Sequence, residues 1–173
     1  PNTGYYTDGS LHRQFNYEMG RKVMDNTTYY PSGKIKTAEH DTSNGLLLSQ
    51  KNFTETGALI SEKKFKYDKP SGIWTYYFED GKTIKIKETY ENGSLTGIRY
   101  TYHENGKVAM EEPYRFNLIA GTVKTYFENG AIATTTEYKN SRRQGAYICY
   151  HANGKTKILG NYTLDKPHGL WKY

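Results

Sequence analysis

The stretch Tyr102-His103-Glu104-Asn105-Gly106 returns as Tyr126-Phe127-Glu128-Asn129-Gly130 and again as Tyr150-His151-Ala152-Asn153-Gly154. A glycine that follows an aromatic residue by four positions recurs about every 24 residues. The full set is Tyr5/Gly9, Tyr29/Gly33, Phe53/Gly57, Tyr77/Gly81, Tyr102/Gly106, Tyr126/Gly130 and Tyr150/Gly154. A unit this short cannot bury an apolar face alone, so neighbouring units must stack on one another.

Each unit carries the signals of one β-hairpin. Its turn reads Glu-Asp-Gly or Glu-Asn-Gly in several repeats, and these residues are typical of a type I′ turn with positive φ at both central positions. After the turn, apolar and aromatic residues fall at even offsets and therefore on one sheet face. We predict an all-β fold, an elongated single-sheet solenoid or meander of about seven stacked antiparallel β-hairpins with a 24-residue repeat.

We expect a single repeat domain over residues 1–173, with repeats near 5–28, 29–52, 53–76, 77–101, 102–125, 126–149 and 150–173. The first three are degenerate, as terminal repeats often are. The spacing from Gly81 to Gly106 is 25 residues rather than 24, which predicts a bulge or longer turn near Lys82 or Thr83. The run from Asp41 to Gly45 predicts an irregular loop.

Composition agrees with a repeat protein built on tyrosine. The chain has 18 tyrosines, and its 24 basic and 18 acidic residues give a net charge of +6. The lone Cys149 excludes a disulfide within the chain, and no apolar run approaches the length of a membrane span. The chain begins at Pro1, so we expect a processed product from which an export signal could have been removed.

Aromatic residues occur on both faces of the strand that precedes each turn. One face is needed for stacking, and the other is a candidate binding surface because large amphipathic side chains dominate interface energies. The alternative is that sheet curvature covers both faces with cross-strand aromatic ladders. The candidate residues for binding another protein are Trp74, Tyr76, Phe78, Phe127, Tyr147 and Trp171.

The sequence predicts no catalytic residue, metal ligand or cofactor, and so no enzyme. His103 and His151 occupy the same repeat position two units apart, at a distance of about 19 Å, and cannot share a metal. Glu111 and Glu112 are adjacent and face opposite sides of a strand, so they do not form an acid/base pair. A histidine that fills an aromatic position is the favoured reading of His103 and His151.

Basic rows also follow the turns, and they raise the alternatives of an anionic membrane surface or single-stranded nucleic acid. These rows are Lys34/Lys36, Lys85/Lys87 and Lys155/Lys157. Acidic residues in the same strands favour a ladder of cross-strand ion pairs, and nucleic acid is therefore not expected. The acidic residues are Glu39, Glu62, Glu88, Glu112 and Glu137.

The units Gly72-Ile73-Trp74-Thr75-Tyr76-Tyr77-Phe78-Glu79-Asp80-Gly81 and Gly169-Leu170-Trp171-Lys172-Tyr173 resemble the bacterial variant of the MORN repeat, a family often labelled as an antitoxin component. The resemblance implies a sheet of hairpins that binds proteins without catalytic residues. It also implies an exported or envelope location in a bacterium in preference to the cytoplasm. The repeats are also similar to choline- and glucan-binding modules, which keeps a carbohydrate or cell-wall ligand open.

Overall fold

The computed structural model describes residues 1–173, and all of its regular secondary structure is β-strand. No helix with the length and hydropathy of a membrane span is present. The all-β prediction is confirmed. The strands are β1 (Asn2–Tyr5), β2 (Leu11–Phe15), β3 (Tyr17–Glu18), β4 (Arg21–Lys22), β5 (Met24–Tyr29), β6 (Ile35–Asp41), β7 (Leu47–Phe53), β8 (Leu59–Lys66), β9 (Lys69–Pro70), β10 (Gly72–Tyr77), β11 (Ile84–Glu91), β12 (Ser94–Tyr102), β13 (Val108–Arg115), β14 (Leu118–Ile119), β15 (Gly121–Tyr126), β16 (Ile132–Lys139), β17 (Arg142–Tyr150), β18 (Thr156–Thr163) and β19 (Lys166–Lys172).

Seventeen of these strands form one antiparallel sheet, and β3 and β4 form a separate two-stranded ribbon. Strands that follow one another in the chain pair with one another, as β5, β6, β7 and β8 do. The later strands β15, β16, β17 and β18 pair in the same way. Backbone polar groups are thus satisfied between chain neighbours, and the predicted meander of hairpins is confirmed.

The Glu-Asp-Gly and Glu-Asn-Gly turns are not of the predicted type I′. In the turn at Asn105-Gly106 only the glycine has positive φ, at 80°. A hydrogen bond from Gly106 N to His103 O closes a type I turn, which the glycine follows as a G1 bulge. The Asn105 side chain accepts the backbone N–H of Lys107 at 2.9 Å. Asparagine therefore serves here as the acceptor of an Asx turn, and only the glycine needs positive φ.

Type I′ turns lie instead at the opposite end of the hairpins, where both central residues have positive φ. One of them is Phe116-Asn117, in which Asn117 N donates to Leu95 O at 3.0 Å and Asn117 Oδ1 accepts Leu95 N at 2.7 Å. This reciprocal pair ties the turn to the preceding hairpin. The type I′ turns are Met19-Gly20, Tyr67-Asp68, Asn92-Gly93, Phe116-Asn117, Asn140-Ser141 and Leu164-Asp165.

The prediction of an irregular loop from Asp41 to Gly45 is wrong. This segment is a regular hairpin turn between β6 and β7, in which Thr42 N donates to Leu46 O and Gly45 N donates to Thr42 O. The same pair of hydrogen bonds closes the turn at Gly106. A type I turn with a G1 bulge therefore stands here at the hairpin end that elsewhere carries type I′ turns.

The inserted residue predicted near Lys82 or Thr83 is confirmed as a longer turn. Phe78 N donates to Thr83 O, five positions later, whereas Phe127 N donates to Ala131 O, four positions later. The Asp80 carboxylate accepts the backbone N–H groups of Lys82 and Thr83 at 2.9 Å each, so it orders the added residue.

The chain divides into two compact units, which we describe separately. Unit 1 contains residues 1–84 and 90–93, and unit 2 contains residues 85–89 and 94–173. The single repeat domain over residues 1–173 stays a prediction.

The buried interior of each unit is small and largely polar. Asn26 in unit 1 is 1% exposed, accepts Asn16 N at 2.7 Å and donates to the Asp41 carboxylate at 2.7 Å. Paired polar groups of this kind can be buried without the full cost of desolvation. The other buried residues are Val23, Asp41 and Ser61 in unit 1, and Glu88, Leu95, Glu112, Val123, Thr136 and Gly160 in unit 2.

Candidate functional site

Cross-strand pairing shows which candidate residues share a sheet face. In unit 2, Tyr147 lies opposite Thr136 on one side and Gly160 on the other. A Cβ atom on Gly160 would stand 2.3 Å from the Trp171 ring, so Trp171 packs over Gly160 on the same face. In unit 1, Tyr76 lies opposite Ser61, and Trp74 shares its face because it is two residues away in the strand. We call this side of each unit the tryptophan face.

The tryptophan face of unit 1 holds an aromatic cluster around Trp74. The Trp74 ring centroid is 5.2 Å from that of Phe65 and 4.7 Å from that of Tyr90. Trp74 Nε1 donates to Lys64 O at 2.7 Å. Lys63 Nζ lies 5.0 Å from the centre of the Trp74 ring and 5.4 Å from that of Tyr76, within cation–π range. Trp74 is therefore held in place by stacking and by a backbone hydrogen bond, and it stays half-buried.

A second cluster lies on the tryptophan face of unit 2. The ring centroids of Tyr147, Tyr162 and Trp171 are 5.3 to 5.8 Å apart. The Arg143 guanidinium lies 4.2 Å from the centre of the Tyr162 ring. Burial, followed by the neighbouring Cys149, raises the pKa of Tyr147. The cluster thus presents half-exposed rings with a cation at its side, the same combination as in unit 1.

The tryptophan face of unit 2 is not a continuous aromatic row. Arg99 and Val123 occupy the repeat positions that precede Tyr147. Arg99 pairs with Glu88 at 3.2 Å and with Glu112 at 3.3 Å, and both carboxylates are nearly buried. Burial opposes the charge on Arg99, but Glu112, a hydrogen bond with Tyr114 and Glu88 together raise the pKa of the guanidinium above its ordinary value. A charged triad therefore replaces the aromatic residue here.

Phe78 and Phe127 lie outside the strands, at the first position of the tight turns. Polar aromatic residues at this position bond to the next repeat, since the Tyr30 hydroxyl donates to Phe53 O at 2.8 Å. His103 Nε2 lies 3.0 Å from Tyr126 O in the same way. Two of the six candidate residues thus belong to a structural position of the turns, and His103 fills an aromatic position as predicted.

The opposite face carries tyrosines that bond to carboxylates. The Tyr77 hydroxyl donates to Glu62 at 3.0 Å, and Lys51 pairs with the same carboxylate at 2.7 Å. Burial, followed by a hydrogen bond to Glu111, raises the pKa of Tyr126 to about 12. Lys124 pairs with Glu111 at 3.7 Å. Cross-strand ion pairs therefore form as predicted, here through Lys51 and Lys124.

Sequence reasoning missed a row of exposed apolar residues at the first position of the type I′ turns. Met19 is 97% exposed, Tyr67 70%, Phe116 73% and Leu164 56%. Each has positive φ, which a side chain with a Cβ rarely adopts. The signal that could have found them is the 24-residue recurrence of Asp, Asn or Ser at the next position, where the anchoring hydrogen bonds are made.

No group of three or more His, Cys, Asp or Glu side chains lies close enough together to hold a metal ion. Cys149 is a free cysteine within β17, half-buried and opposite Thr134.

Comparison with known proteins gives one family match. Residues 70–92, 95–115, 120–140 and 143–163 match the family model described as MORN repeat variant. No curated protein matches the chain. A structural match is accessory secretory protein 1, 2 and 3 of Streptococcus pneumoniae, with 10% identity, 73% of this chain and 19% of that chain covered, and a TM-score of 0.24. The four matched segments correspond to the hairpins β10/β11, β12/β13, β15/β16 and β17/β18, and this part of the chain therefore carries four repeats that match the MORN repeat variant family.

Proposed function

We propose that the chain is a non-catalytic repeat scaffold that binds another protein through the tryptophan faces of its units. MORN repeats are in general modules for interaction with proteins or membranes. A role as an antitoxin or as a binding protein of the cell envelope is the finer form of the same proposal. It differs only in the identity of the partner.

One observation carries the proposal. In both units, the tryptophan face presents half-exposed aromatic rings beside a cation, Lys63 in unit 1 and Arg143 in unit 2. Tryptophan, tyrosine and arginine are the residues that contribute most to protein interfaces, and rings that are already fixed lose little entropy on binding. Trp74 is fixed by stacking and by its hydrogen bond to Lys64 O.

A carbohydrate ligand has less support from the geometry. A module that binds one sugar per hairpin should have an aromatic cleft in every repeat. In unit 2, however, Arg99 and Val123 occupy two of the repeat positions at which such a module would need aromatic residues. An anionic membrane surface remains the other alternative for a MORN-variant chain, and both alternatives are arms of the test below.

The test is affinity capture on the immobilised intact chain, beside Trp74→Ala/Tyr76→Ala and the control Ile73→Ala/Thr75→Ala. The control changes two residues of the same strand that point to the opposite face. Trp74→Phe keeps a ring for stacking and removes the indole. We expect a protein that binds the intact chain and the control but not the Trp74→Ala/Tyr76→Ala variant, at a temperature where thermal unfolding shows all variants to be folded. Equal loss in the control, or capture of glycan or lipid alone, would overturn the proposal.

A further inference from the structure

Two grooves occupy the same repeat position beside type I′ turns. The larger, in unit 2, has a volume of about 590 Å³ and is lined by Lys139, Asn140, Arg142, Gln144, Thr163 and Leu164. The smaller, in unit 1, has a volume of about 180 Å³ and is lined by Lys66, Tyr67, Lys69, Pro70, Ser71 and Asn92. Each groove lies between one turn and the residue that begins the next type I′ turn, Leu164 or Asn92.

Each groove has two basic residues directly opposite one another. Lys139 pairs in register with Arg142, and Lys66 pairs with Lys69. Like charges at directly opposed positions destabilise a hairpin. None of the four takes part in an ion pair, whereas Lys51 and other strand lysines have carboxylate partners. The chain thus keeps two uncompensated cation pairs at equivalent positions, which is the arrangement that an anionic ligand would stabilise.

The grooves also have an apolar wall. Tyr67 is 70% exposed beside the smaller groove, and Leu164 is 56% exposed beside the larger one. Their φ angles are 53° and 50°, in a region that costs free energy for residues other than glycine, asparagine or aspartate. The type I′ turns require these φ angles. Lys66 Nζ lies 5.7 Å from the centre of the Tyr67 ring, and the side chains of Tyr67 and Leu164 remain largely exposed, so they offer apolar surface to a ligand. A ligand that fits both features is acidic and apolar.

These features favour a polypeptide over a phosphate polymer or a lipid surface. The basic pairs are discrete, since neither type I′ turn between them in the chain has two opposed basic residues: Asn92-Gly93 is flanked by Glu91 and Ser94, and Phe116-Asn117 by Arg115 and Leu118. A nucleic acid backbone or an anionic bilayer requires a continuous basic surface. An acidic peptide segment can place a carboxylate between two opposed cations and an apolar side chain on the adjacent wall.

We propose that the grooves at Lys139/Arg142 and at Lys66/Lys69 bind an acidic, leucine-containing segment of the partner protein. This inference rests on the proposed function and adds the chemistry of the partner. It assigns to the turn edge a contact separate from the tryptophan faces.

The experiment measures fluorescence anisotropy of a labelled peptide of Glu and Leu residues with the intact chain. The same peptide with Gln in place of Glu, vesicles of phosphatidylserine and phosphatidylcholine, and a single-stranded oligothymidine are the comparison arms. We expect the Glu/Leu peptide to bind, the affinity to fall with added salt, and the Gln/Leu peptide to bind much more weakly. Binding of vesicles or oligothymidine with none to the Glu/Leu peptide would overturn the proposal.

Charge-reversal variants locate the contact. Lys139→Glu/Arg142→Glu combined with Lys66→Glu/Lys69→Glu should weaken peptide binding by more than roughly tenfold, because attraction becomes repulsion at each groove. Each pair of substitutions is compared with Lys155→Glu/Lys157→Glu, which makes the same change at exposed residues away from the grooves. An equal loss in this control would show a general charge effect and overturn the assignment. Partner capture that depends on Trp74 but not on the grooves would defeat this inference while leaving the proposed function standing.

Discussion

Gly160 shows how one residue determines the aromatic cluster of unit 2. It lies opposite Tyr147, and its missing side chain leaves the space that the Trp171 ring occupies. Its φ lies outside the left-handed region, so backbone conformation does not require glycine here. The requirement is the close approach of the ring, and the cluster at the candidate site depends on it.

Gly160→Ala should therefore displace Trp171 and destabilise unit 2 by about 1–3 kcal/mol, the usual cost of overpacking. Urea unfolding gives the free energy, and the fluorescence of Trp171 in a Trp74→Phe background reports the ring itself. Gly4→Ala is the control, because it also has no positive φ and meets only the flexible Arg13 side chain. Unchanged fluorescence in Gly160→Ala would contradict the packing described.

Glu62 makes a pH-dependent contribution to the stability of unit 1. The hydrogen bond from Lys51 is the largest cause that lowers the pKa of Glu62 below its ordinary value of 4.5, with burial opposing it and Tyr77 assisting. A carboxylate with a lowered pKa stabilises the fold above its unfolded pKa, and the contribution disappears as the pH falls through the folded pKa. The carboxylate is 38% exposed, so solvent screening keeps its contribution small.

Glu62→Gln should reduce stability at neutral pH by less than about 1 kcal/mol, since the ion pair is partly exposed. The difference from the unsubstituted chain should shrink below pH 4.5 and vanish once Glu62 is protonated in the folded state. Thermal unfolding from pH 7 downwards measures it, with Lys51→Gln as the matched loss of the other partner. A difference that stays constant with pH would rule out the assigned cause.

At the scale of the elements, the two central residues of a type I′ turn have different roles. In Phe116-Asn117 the first side chain is exposed, whereas the second bonds to Leu95 through both its backbone N–H and its side-chain oxygen. Ser141 makes the same two bonds to Ile119, and Asp165 makes them to Arg143. The turn thus joins consecutive repeats and leaves its first position available for contact.

Asn117→Ala should destabilise unit 2 by about 1–3 kcal/mol, because alanine loses the bond to Leu95 N and tolerates positive φ poorly. Asn117→Gly loses only the side-chain bond, so it should cost less. Hydrogen exchange at Leu95 N together with urea unfolding of both variants separates the two effects. If Asn117→Ala and Asn117→Gly lower the free energy of unfolding by the same amount, the positive φ of this position does not explain why asparagine occupies it.

The hairpins were predictable because they depend only on local alternation and a repeated turn glycine. The extra residue near Thr83 was predictable for the same reason, since it breaks the period. The turn types were not, because the partner that selects Asn117 is 22 residues away at Leu95. At the candidate site, the shared face of Trp74 and Tyr76 follows from alternation, but the stacking of Trp74 on Phe65 and Tyr90 depends on neighbouring strands.

At the scale of the whole molecule, each repeat makes the same kinds of contact with the repeats before and after it in the chain. Each strand from β15 to β18 pairs with the next strand in the chain, and the turn anchors reach one repeat back. Stability in such an array is nearly a sum over repeats and their interfaces. Removal of one full period should then preserve every remaining type of contact, whereas removal of half a period should not.

Deletion of residues 116–139 joins Arg115 to Asn140 and places the turn Asn140-Ser141 where Phe116-Asn117 stood, at the same hairpin end. We expect this shortened chain to keep the β-sheet circular dichroism per residue and cooperative thermal unfolding, with a lower stability because one repeat interface is lost. Deletion of residues 116–127 is the matched control. It reverses the direction of every later strand, so the Tyr147 cluster moves to the other face and Ser141 can no longer anchor to the repeat before it. The control should therefore unfold at a distinctly lower temperature although it removes fewer residues, and equal unfolding temperatures would contradict repeat-by-repeat anchoring.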